Sequence, residues 1–405
     1  MLLGVWSGRR QFRSLRYAGI ALPKTLYIRI LKMNRGSQPP SSAAVLAVDL
    51  FAGAGGFTLA ARKLGVRVVA AVEVNRLACA TYRRNFIGRR RTAPKLYEQD
   101  IGTLAPKTVA LECLRPGEHC DLIMGGPPCQ GFSVHRINGA GIDDPRNELL
   151  LSYFRFVRSL SPKAFILENV PGLLWPRHAD YLKKFYGLAA EYGYDLREPE
   201  VLNARDFGVP QSRKRVFILG VRRGFANTIV WPPQATHFDP ASEDVLRYKM
   251  RAWKTAAKVF VKPLAADDEN RVHMQSRDEL VEVFRNTPKN GGSRFESGRK
   301  LPCHLDHNGH KDVYGRIDPS RPGPTMTTAC INPSKGRFVH PTQNHGISAR
   351  HAARFQGFPE SFVFCGGLMA AGVQIGNAVP VPLGEAVLKA VVAGIVDSAA
   401  RARAA

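Results

Sequence analysis

The chain of 405 residues is long enough to bury a large core, and its length predicts two domains rather than one. Lys and Arg number 58 against 33 Asp and Glu, so the formal charge of +25 favours a polyanion partner, above all nucleic acid, over a merely soluble basic surface. Seven cysteines without paired spacing argue against a disulfide framework and for a reducing cytosol, and no stretch approaches the roughly 20 apolar residues of a membrane span.

Residues 1–43 differ from the rest of the chain. The first forty positions hold eight Lys or Arg and no acidic residue, and the first acid is Asp49. A transit peptide is one interpretation, but Pro23 and Lys24 interrupt "AGIALPKTLYIRILK". We favour a disordered basic arm or a mis-assigned start, with Met33 as the true first residue. The stretch "NRGSQPPSSAA" predicts a linker into the folded body.

Short apolar runs alternate with helical patterns in residues 44–223. Strands are predicted at "AVLAVDL", "VRVVAAVEVN", "KLYEQDI", "CDLIMGGPP", "AFILENV" and "RVFILGVRR". Helices are predicted at "FTLAARKLG", closed by Gly65, and at "ELLLSYFRFVRSL", from Glu148 to Leu160. This alternation predicts an open α/β sheet whose ligands bind at the carboxyl ends of the strands.

The pattern changes after Arg223. Residues 224–320 are rich in Pro, Gly, Lys, Arg and His, with weak periodicity apart from "SRDELVEVFRN", which predicts a helix. This stretch is expected to form a smaller second domain or a loop-rich insertion. Residues 321–397 return to helical patterns at "SARHAARFQGF" and "LGEAVLKAVVAGIVDSAA".

The loop "DLFAGAGGF" follows the first predicted strand. Gly53, Gly55 and Gly56 lack the Cβ atoms that would block a ligand, but their spacing fits neither G-x-G-x-x-G nor a P-loop. The next two strands end in Glu73 and Asp100, and carboxylates suit a ribose diol and an adenine amino group better than they suit phosphates. A nucleoside ligand without a pyrophosphate, such as S-adenosylmethionine, fits this loop; an ordinary tight turn is the alternative.

Cys129 lies in "GGPPCQGFS", between a Pro-Pro pair and a Gln-Gly turn. Most cysteines are small buried hydrophobic residues. Cys129, however, follows a predicted strand at the edge where this type of sheet binds ligands. A nucleophile needs such a placement together with a group that favours the thiolate, which nearby arginines would supply.

Glu168 and Asn169 follow an apolar run at the end of the next predicted strand. Glu168 is either a structural acid that caps a helix or, with a thiol on the neighbouring strand end, the proton donor to a nucleophile. In "QSRKRVF", Arg213 and Arg215 are two residues apart, so on a strand they point to the same face. They are either a solvated basic edge or a clamp for an anion.

The stretch "CHLDHNGH" contains a cysteine and three histidines. We do not predict a zinc site there, because the spacing is irregular and no second cluster completes a tetrahedral set. A polar loop that touches DNA is the preferred interpretation.

Six of these segments, in this order, resemble the DNA cytosine-5 methyltransferase family of bacterial restriction-modification systems, from about Val45 to Val387. "DLFAGAGGF" is similar to the family's cofactor loop, "GGPPCQGFS" to its nucleophile loop, "ENV" to its acidic motif and "QSRKRVF" to its Gln-x-Arg-x-Arg motif. "ARFQGFPESF" and "QIGNAVPVPLGEAV" resemble its two closing motifs. In one departure, Val381 separates two prolines that the family usually has adjacent.

The resemblance implies an S-adenosylmethionine-dependent, Rossmann-like catalytic domain over 44–223 and a DNA target recognition region over 224–320. It implies that a cytosine swings out of duplex DNA and that the Cys129 thiolate adds to its C6. Glu168 would hold N3 and the exocyclic amine. Arg215, with Arg213, would hold the base and the adjoining phosphate.

The resemblance also implies a cofactor pocket, completed when the C-terminal helix packs back on the catalytic domain, and S-adenosylhomocysteine as the product. An aromatic ring would stack on the adenine, glycines would approach the methionine part, and carboxylates would hold the ribose and adenine. The implied contacts are Phe51, Gly53, Gly55, Gly56, Glu73, Asp100, Ile101, Pro128, Leu149 and Asn377.

Three alternatives stay open at this point. A tRNA cytosine-5 methyltransferase would share the fold but generally has a smaller recognition region, and a catalytically silent DNA-binding protein would not need the set of Cys129, Glu168, Arg213 and Arg215. A nicotinamide-dependent oxidoreductase would need a pyrophosphate loop. We expect a cytoplasmic, nucleoid-associated bacterial monomer that uses no metal and works beside a separate restriction endonuclease or as an orphan.

Overall fold

The computed structural model describes residues 44–88, 92–128, 147–225, 229–298 and 312–404. Residues 44–405 form one compact unit. Three features named from the sequence lie outside the described residues: the basic segment 1–43, Cys129, and the stretch "CHLDHNGH".

Within the described ranges, eight strands form one sheet in the order β3-β2-β1-β4-β5-β8-β6, and β7 also pairs with β8. Strands β1 to β5 pair in parallel, whereas β8 runs antiparallel to its neighbours β5, β6 and β7. The predicted open α/β fold is therefore confirmed. The strands are β1 Leu46–Leu50, β2 Arg67–Val72, β3 Lys95–Tyr97, β4 Leu122–Gly125, β5 Ala164–Asn169, β6 Tyr194–Leu196, β7 Glu200–Asn203 and β8 Lys214–Arg222.

Helices connect the strands and follow the sheet. They are α1 Gly56–Lys63, α2 Arg76–Phe86, α3 Pro106–Cys113, α4 Asn147–Leu160, α5 Ala179–Glu191, α6 Glu243–Leu246, α7 Ala257–Phe260, α8 Asp278–Asn286, α9 Ala349–Phe355, α10 Gly367–Asn377 and α11 Val381–Ala404. Short 3-10 turns lie at Pro171–Leu174, Pro176–His178, Ala204–Phe207, Arg294–Ser297 and Pro333–Lys335. The helices predicted from "FTLAARKLG", "ELLLSYFRFVRSL", "SRDELVEVFRN", "SARHAARFQGF" and "LGEAVLKAVVAGIVDSAA" are all present.

The central strands are apolar along their whole length because both faces of the sheet are covered. Every residue of β1 is buried. Ala47 packs into a core beneath α1 and α11, while Leu46 and Val48 pack into a second core on the opposite face, beneath α4. This alternation is what strand geometry requires of a sheet with helices on both sides.

Helix α11 packs against α1, the helix that follows the glycine loop. The contact is close because small residues meet there: a Cβ on Gly384 would lie 3.2 Å from Ala60 Cβ. Just before α11, the carbonyl oxygen of Val379 lies where a Cβ on Gly56 would approach to 2.6 Å. The start of α1 and the turn before α11 are therefore one packed unit, and a larger side chain at Gly56 would separate them.

Residues 229–298 and 312–348 contain short helices and long loops that hydrogen bonds hold in place. Arg316, which is fully buried, donates to the carbonyl oxygens of Phe284, Thr287, His340 and Gln343. A guanidinium with five donors replaces here the regular backbone ladders that a sheet would supply.

The expectation that no stretch is apolar enough to span a membrane was wrong by length and composition for Gly367–Ser398, alone in the described chain, but 56% of its most apolar 18 residues are buried inside the protein. Its core-packed face suits a helix inside a folded protein. The described cysteines Cys79, Cys113, Cys120, Cys330 and Cys365 are free thiols.

Candidate active site

Glu168 and Arg215 form a buried ion pair at the end of β5. Their side chains are 9% and 14% exposed, and Arg215 Nε lies 3.0 Å from Glu168 Oε1. The antiparallel pairing of β5 with β8 brings the two residues together. Burial raises the pKa of the Glu168 carboxyl, and the positive charges of Arg215 and Arg213 oppose that rise. The site therefore places a carboxyl with a raised pKa beside a fixed cation.

The loop that leads to Cys129 lies directly against this carboxyl. A Cβ on Gly126 would come within 2.9 Å of Glu168 Oε2, so only glycine leaves the carboxylate room. Asn169 Nδ2 donates to the carbonyl oxygen of Pro127 at 3.2 Å, and its Oδ1 accepts from the N–H of Val170 at 2.8 Å. The loop is thus fixed to the end of β5 up to the last residues before the cysteine.

Arg213 differs from the expectation that it clamps an anion together with Arg215. It precedes β8, which begins at Lys214, and its side chain is 1% exposed. Its guanidinium donates to the carbonyl oxygens of Met326 at 2.7 Å, Gly376 at 2.7 Å and Ala378 at 3.2 Å. Both arginines do lie near Glu168, as their spacing of two residues predicted. The guanidinium of Arg213, however, forms hydrogen bonds with backbone carbonyl oxygens. These bonds brace the chain beneath the site.

The glycine loop is held by Glu73, the residue after β2. Glu73 Oε2 accepts from the N–H of Gly53 at 2.8 Å, and its Oε1 accepts from the N–H groups of Val74 and Asn75 at 3.0 and 2.8 Å. Gly53 adopts φ +55°, and a Cβ there would meet no atom within 4 Å. The loop therefore borders open space, with a carboxylate at its edge.

Phe51 carries backbone strain at the end of β1. Its φ of 57° lies in the left-handed region, which costs a non-glycine residue of order 1–3 kcal/mol. Its ring is partly buried against the core on the face of α4. Gly55, at φ +92°, has no room for a side chain, because a Cβ would lie 2.3 Å from the ring of Phe86. Strain of this kind persists only where the surrounding structure holds the residue in place.

The other predicted cofactor contacts lie at the same sheet edge or on the helices beside it. Asp100 follows β3, and its Oδ1 accepts from the N–H of Gly102 at 2.6 Å, while Ile101 is buried. Leu149 is half-buried in α4, and Pro128 and Asn377 are exposed. Asn377 is the last residue of α10.

These residues fit a nucleoside with a short charged side chain better than they fit a dinucleotide. The first turn of α1 has no lysine or arginine that would hold a phosphate, since the basic residues of this helix, Arg62 and Lys63, lie in its last turn. The loop instead offers backbone space at Gly53, an aromatic ring at Phe51 and carboxylates at Glu73 and Asp100. S-adenosylmethionine, which carries an adenosine and an amino acid but no phosphate, suits this donor set.

Four polar residues that matter for the site were not assigned a role from the sequence. Gln211 and Gln356 are fully buried and hydrogen-bonded to one another, and Asn169 holds the cysteine loop. Asp49, within β1, accepts from the N–H and the hydroxyl of Thr58 in the first turn of α1. Asp49 and Asn169 lie in apolar runs, where a polar residue must find a partner when it is buried. Gln211 and Gln356 lie in "QSRKRVF" and "ARFQGFPESF", two of the segments that carry the family resemblance.

The departure at Val381 has a structural consequence. Its N–H donates to the carbonyl oxygen of Gln356 at 2.9 Å. A proline there would lack this donor. Val381 is fully buried, so the residue fits the core while tying the turn before α11 to Gln356.

Comparisons with known proteins identify the family. The family model for C-5 cytosine-specific DNA methylases matches residues 45–393. The type II methyltransferase M1.HphI of Haemophilus parahaemolyticus is 32% identical over 349 residues, which cover 85% of this chain and 86% of that protein. M.MthTI of Methanothermobacter thermautotrophicus is 31% identical over 350 residues, or 84% of this chain and 95% of that protein.

Two solved structures share the fold at lower identity. One is described as a DNA modification methyltransferase encoded within an Escherichia coli prophage, with a TM-score of 0.64, 23% identity and coverage of 86% of this chain and 99% of that one. A Spodoptera frugiperda DNMT2 variant has a TM-score of 0.56, 16% identity and coverage of 86% and 100%.

The chain belongs to the C-5 cytosine-specific DNA methylase family. It is accordingly a cytosine-5 DNA methyltransferase with relatives among the type II methyltransferases, and the family match favours DNA over tRNA as its substrate. A nicotinamide-dependent oxidoreductase is excluded by the same match.

Proposed function

We propose that this enzyme methylates C5 of cytosine within one short sequence of double-stranded DNA, with S-adenosylmethionine as the methyl donor. The observation that carries the proposal is the buried pair of Glu168 and Arg215, with Gly126 of the cysteine loop against the same carboxyl. A carboxyl and a guanidinium, held side by side, match the donors and acceptors on the edge of a pyrimidine.

In this mechanism the target cytosine leaves the duplex stack, because C5 and C6 cannot be reached inside it. Glu168 binds N3 and the exocyclic amine, and its raised pKa favours sharing a proton with N3. Arg215 keeps Glu168 in place and holds the base. The proton at N3 draws electrons from the ring, so that C6 accepts the thiolate of Cys129.

The sulfur–carbon bond makes C5 nucleophilic, and a transient covalent bond thereby splits one difficult step into easier ones. S-adenosylmethionine, once bound, would supply the methyl group that C5 takes, and its sulfonium sulfur would leave as the thioether of S-adenosylhomocysteine. Transfer of the C5 proton to water then restores the C5–C6 double bond and expels the Cys129 thiolate. Tethering of the loop by Asn169 supports this chemistry, since a nucleophile held near its target loses less entropy on reaction.

The cofactor pocket we propose is the open space beside the glycine loop. Phe51 stacks on the adenine, Glu73 accepts from the ribose hydroxyls, and Asp100 with Ile101 contacts the adenine edge. Three glycines, Gly53, Gly55 and Gly56, lie near the methionine part. Pro128, Leu149 and Asn377 complete the pocket.

Residues 224–320 are proposed as the target recognition region. Its cationic and amide side chains suit contacts with phosphates and base edges. The formal charge of +25 supports binding to a polyanion. We further propose that the enzyme acts as a monomer in the bacterial cytoplasm, associated with the nucleoid, and either beside a cognate restriction endonuclease or as an orphan.

Base-resolution mapping of 5-methylcytosine tests the proposal. The enzyme is expressed in a bacterial host that lacks DNA methylation, beside Cys129→Ala and the control Cys365→Ala, which removes a different free thiol. We expect methylation at one short motif with the wild type and the control. We expect none with Cys129→Ala, although that variant should still shift a DNA fragment in a gel.

Undiminished methylation by Cys129→Ala would overturn the mechanism. Absence of DNA methylation from well-expressed, folded wild-type protein would overturn the proposed substrate. In that case tRNA methylation and silent DNA binding, the two remaining alternatives, would be tested next with the same variants.

A further inference from the structure

Three buried polar side chains beneath the site form a connected group, which we call the polar hub: Gln211, Arg213 and Gln356. Each is at most 1% exposed. Gln211 Nε2 donates to Gln356 Oε1 at 2.9 Å and to the carbonyl oxygen of Phe355 at 3.0 Å. Buried polar groups of this kind are costly unless all are paired, so their partners indicate what the group holds together.

On one side the polar hub holds Met326, six residues beyond the end of the proposed recognition region. Gln211 Oε1 accepts from the N–H of Met326 at 2.6 Å, and Arg213 Nη1 donates to the carbonyl oxygen of Met326 at 2.7 Å. Both backbone groups of one residue are therefore fixed by the hub. Beyond Met326, Thr327 and Thr328 are exposed.

On the other side the polar hub grips the end of α10. Arg213 Nη2 donates to the carbonyl oxygens of Gly376 and Ala378, at 2.7 and 3.2 Å. Gln356 Nε2 donates to the carbonyl oxygen of Ile375 at 2.6 Å and to that of Ala378 at 3.1 Å. These carbonyls flank Asn377, a proposed cofactor contact, so the hub sets its backbone from both directions.

The two sides also touch each other without a gap. A Cβ on Gly376 would lie 2.3 Å from both the carbonyl carbon of Thr327 and the N atom of Thr328, so backbone packs on backbone there. The carbonyl oxygen of Val379 packs in turn on Gly56 of the cofactor loop. Close-packed contacts transmit displacement, because no empty volume absorbs it.

We propose that Arg213 is a positioning residue that couples DNA binding by the proposed recognition region, which ends shortly before Met326, to cofactor binding at Asn377 and the glycine loop. The two terminal nitrogens of its planar guanidinium donate to Met326 and Gly376 at the same time, whereas the single ammonium group of a lysine cannot make both bonds in this geometry. The coupling must be reciprocal: DNA tightens cofactor binding by the factor by which the cofactor tightens DNA binding. This inference rests on the proposed function, which supplies the two ligands.

Calorimetric titration with S-adenosylhomocysteine, without and with unmethylated bacterial genomic DNA, measures this coupling in the full chain. We expect DNA to tighten the binding of S-adenosylhomocysteine to the wild type about tenfold, which is within the usual range of such couplings. For Arg213→Lys, we expect DNA to change the affinity for S-adenosylhomocysteine less than about twofold. In steady-state assays Arg213→Lys should raise the cofactor KM about tenfold and alter kcat by less than about threefold.

Arg215→Lys is the matched control, since it changes the neighbouring arginine in the same way. It should lower kcat strongly while the coupling persists. Gln356→Met provides a second variant that leaves Arg213 in place and removes the bonds to Ile375 and Ala378. It is measured in the same titrations, so that a folding defect of Arg213→Lys, detected by thermal melting, does not decide the outcome.

A folded Arg213→Lys or Gln356→Met protein that keeps the wild-type coupling would overturn the inference. So would an Arg213→Lys protein that loses kcat with an unchanged cofactor KM, because that result would put Arg213 on the base. Methyl transfer by the wild type on the same DNA tests the proposed function separately. Its absence overturns that function, whereas its presence together with uncoupled binding overturns only this inference.

Discussion

Asn169 and Pro127 are joined by a single hydrogen bond of 3.2 Å between the side-chain amide of the first and the carbonyl oxygen of the second. Asn169 directly follows the proposed acid, Glu168, and Pro127 lies two residues before the proposed nucleophile, Cys129. One bond therefore ties the loop of the nucleophile to the strand of the acid. It adds to the pairing of β4 with β5 in setting the position of the loop relative to the acid.

Asn169→Ala removes this tether. We expect kcat to fall about 10- to 100-fold, because small misplacements of a reacting group cost rates of this order. Cofactor KM should not change, and the free energy of unfolding should fall by about 1 kcal/mol, the usual value of one hydrogen bond. The control is Asn85→Ala, which breaks amide bonds to Thr81 and Val363 away from the site. Equal loss of kcat in both variants would contradict a tethering role.

Asp49 gives the fold a pH dependence. It is buried, and burial raises the pKa of its carboxyl to about 7, although hydrogen bonds from Thr58 oppose the rise. The unfolded chain releases this proton near pH 4 and the folded chain near pH 7. Between these values the folded state binds more protons, so the free energy of unfolding falls as pH rises, by up to about 1.4 kcal/mol per pH unit.

Asp49→Asn should remove this contribution while keeping an oxygen that accepts from Thr58. Urea denaturation at a series of pH values from 4.5 to 7 measures the slope. We expect the difference in free energy of unfolding between Asp49→Asn and wild type to grow with pH in favour of the variant. Asp195→Asn, at an exposed carboxylate on β6, serves as the control. A difference that does not vary with pH would show that Asp49 is ionised in the folded protein throughout this range.

His340 and His351 have the opposite effect. Their rings pack on Phe260, with ring centroids 4.7 and 4.9 Å away, and lie 5.4 Å from one another. Burial lowers the pKa of His340 to about 4 and that of His351 to about 3. The charged or titratable neighbours that add to this lowering are Arg316, Arg354, His273 and His345.

Because both imidazoles are neutral in the folded state, their contribution to stability is complete above pH 6.5. It is lost as pH falls through 6.5 toward 4, where the unfolded chain takes up the protons first. His351→Gln should flatten the acid side of the stability profile, measured by urea denaturation from pH 4.5 to 7.5. His119→Gln, at an exposed position, should leave it unchanged. Parallel profiles for wild type and His351→Gln would contradict the prediction.

Much of the fold could be predicted because its strands are continuous apolar runs. The run ending at Leu50 and the run ending at Leu167 are buried on both faces. Such apolar runs predict a sheet that is covered on both sides, even when the neighbouring strands are not known. The short edge strands β6 and β7 were not predicted. Three or four residues carry too little periodicity, and pairing with β8 defines them.

The contacts of a site residue could be predicted where its chemistry demanded a partner close by in the fold. They could not be predicted where the partners are distant in the sequence. Glu168 followed an apolar run, so a partner had to exist, and Arg215 is that partner. The spacing of Arg213 from Arg215 predicted that it too would face Glu168. Its guanidinium instead binds the carbonyl oxygens of Met326 and Gly376, which are 113 and 163 residues away in the sequence. Strand periodicity fixes the direction of a side chain only within the strand, and Arg213 precedes β8.

The packing of α11 on α1 has a consequence for how the enzyme is made. During synthesis the glycine loop leaves the ribosome first, since chains grow from the N-terminal end and domains fold as they emerge. The turn that covers Gly56 and the helix that buries Ala60 follow more than 300 residues later. A nascent chain that has not reached Gly384 could form its sheet but not the finished form of the proposed cofactor pocket. Methyl transfer would therefore wait for residues that are made long after the glycine loop itself.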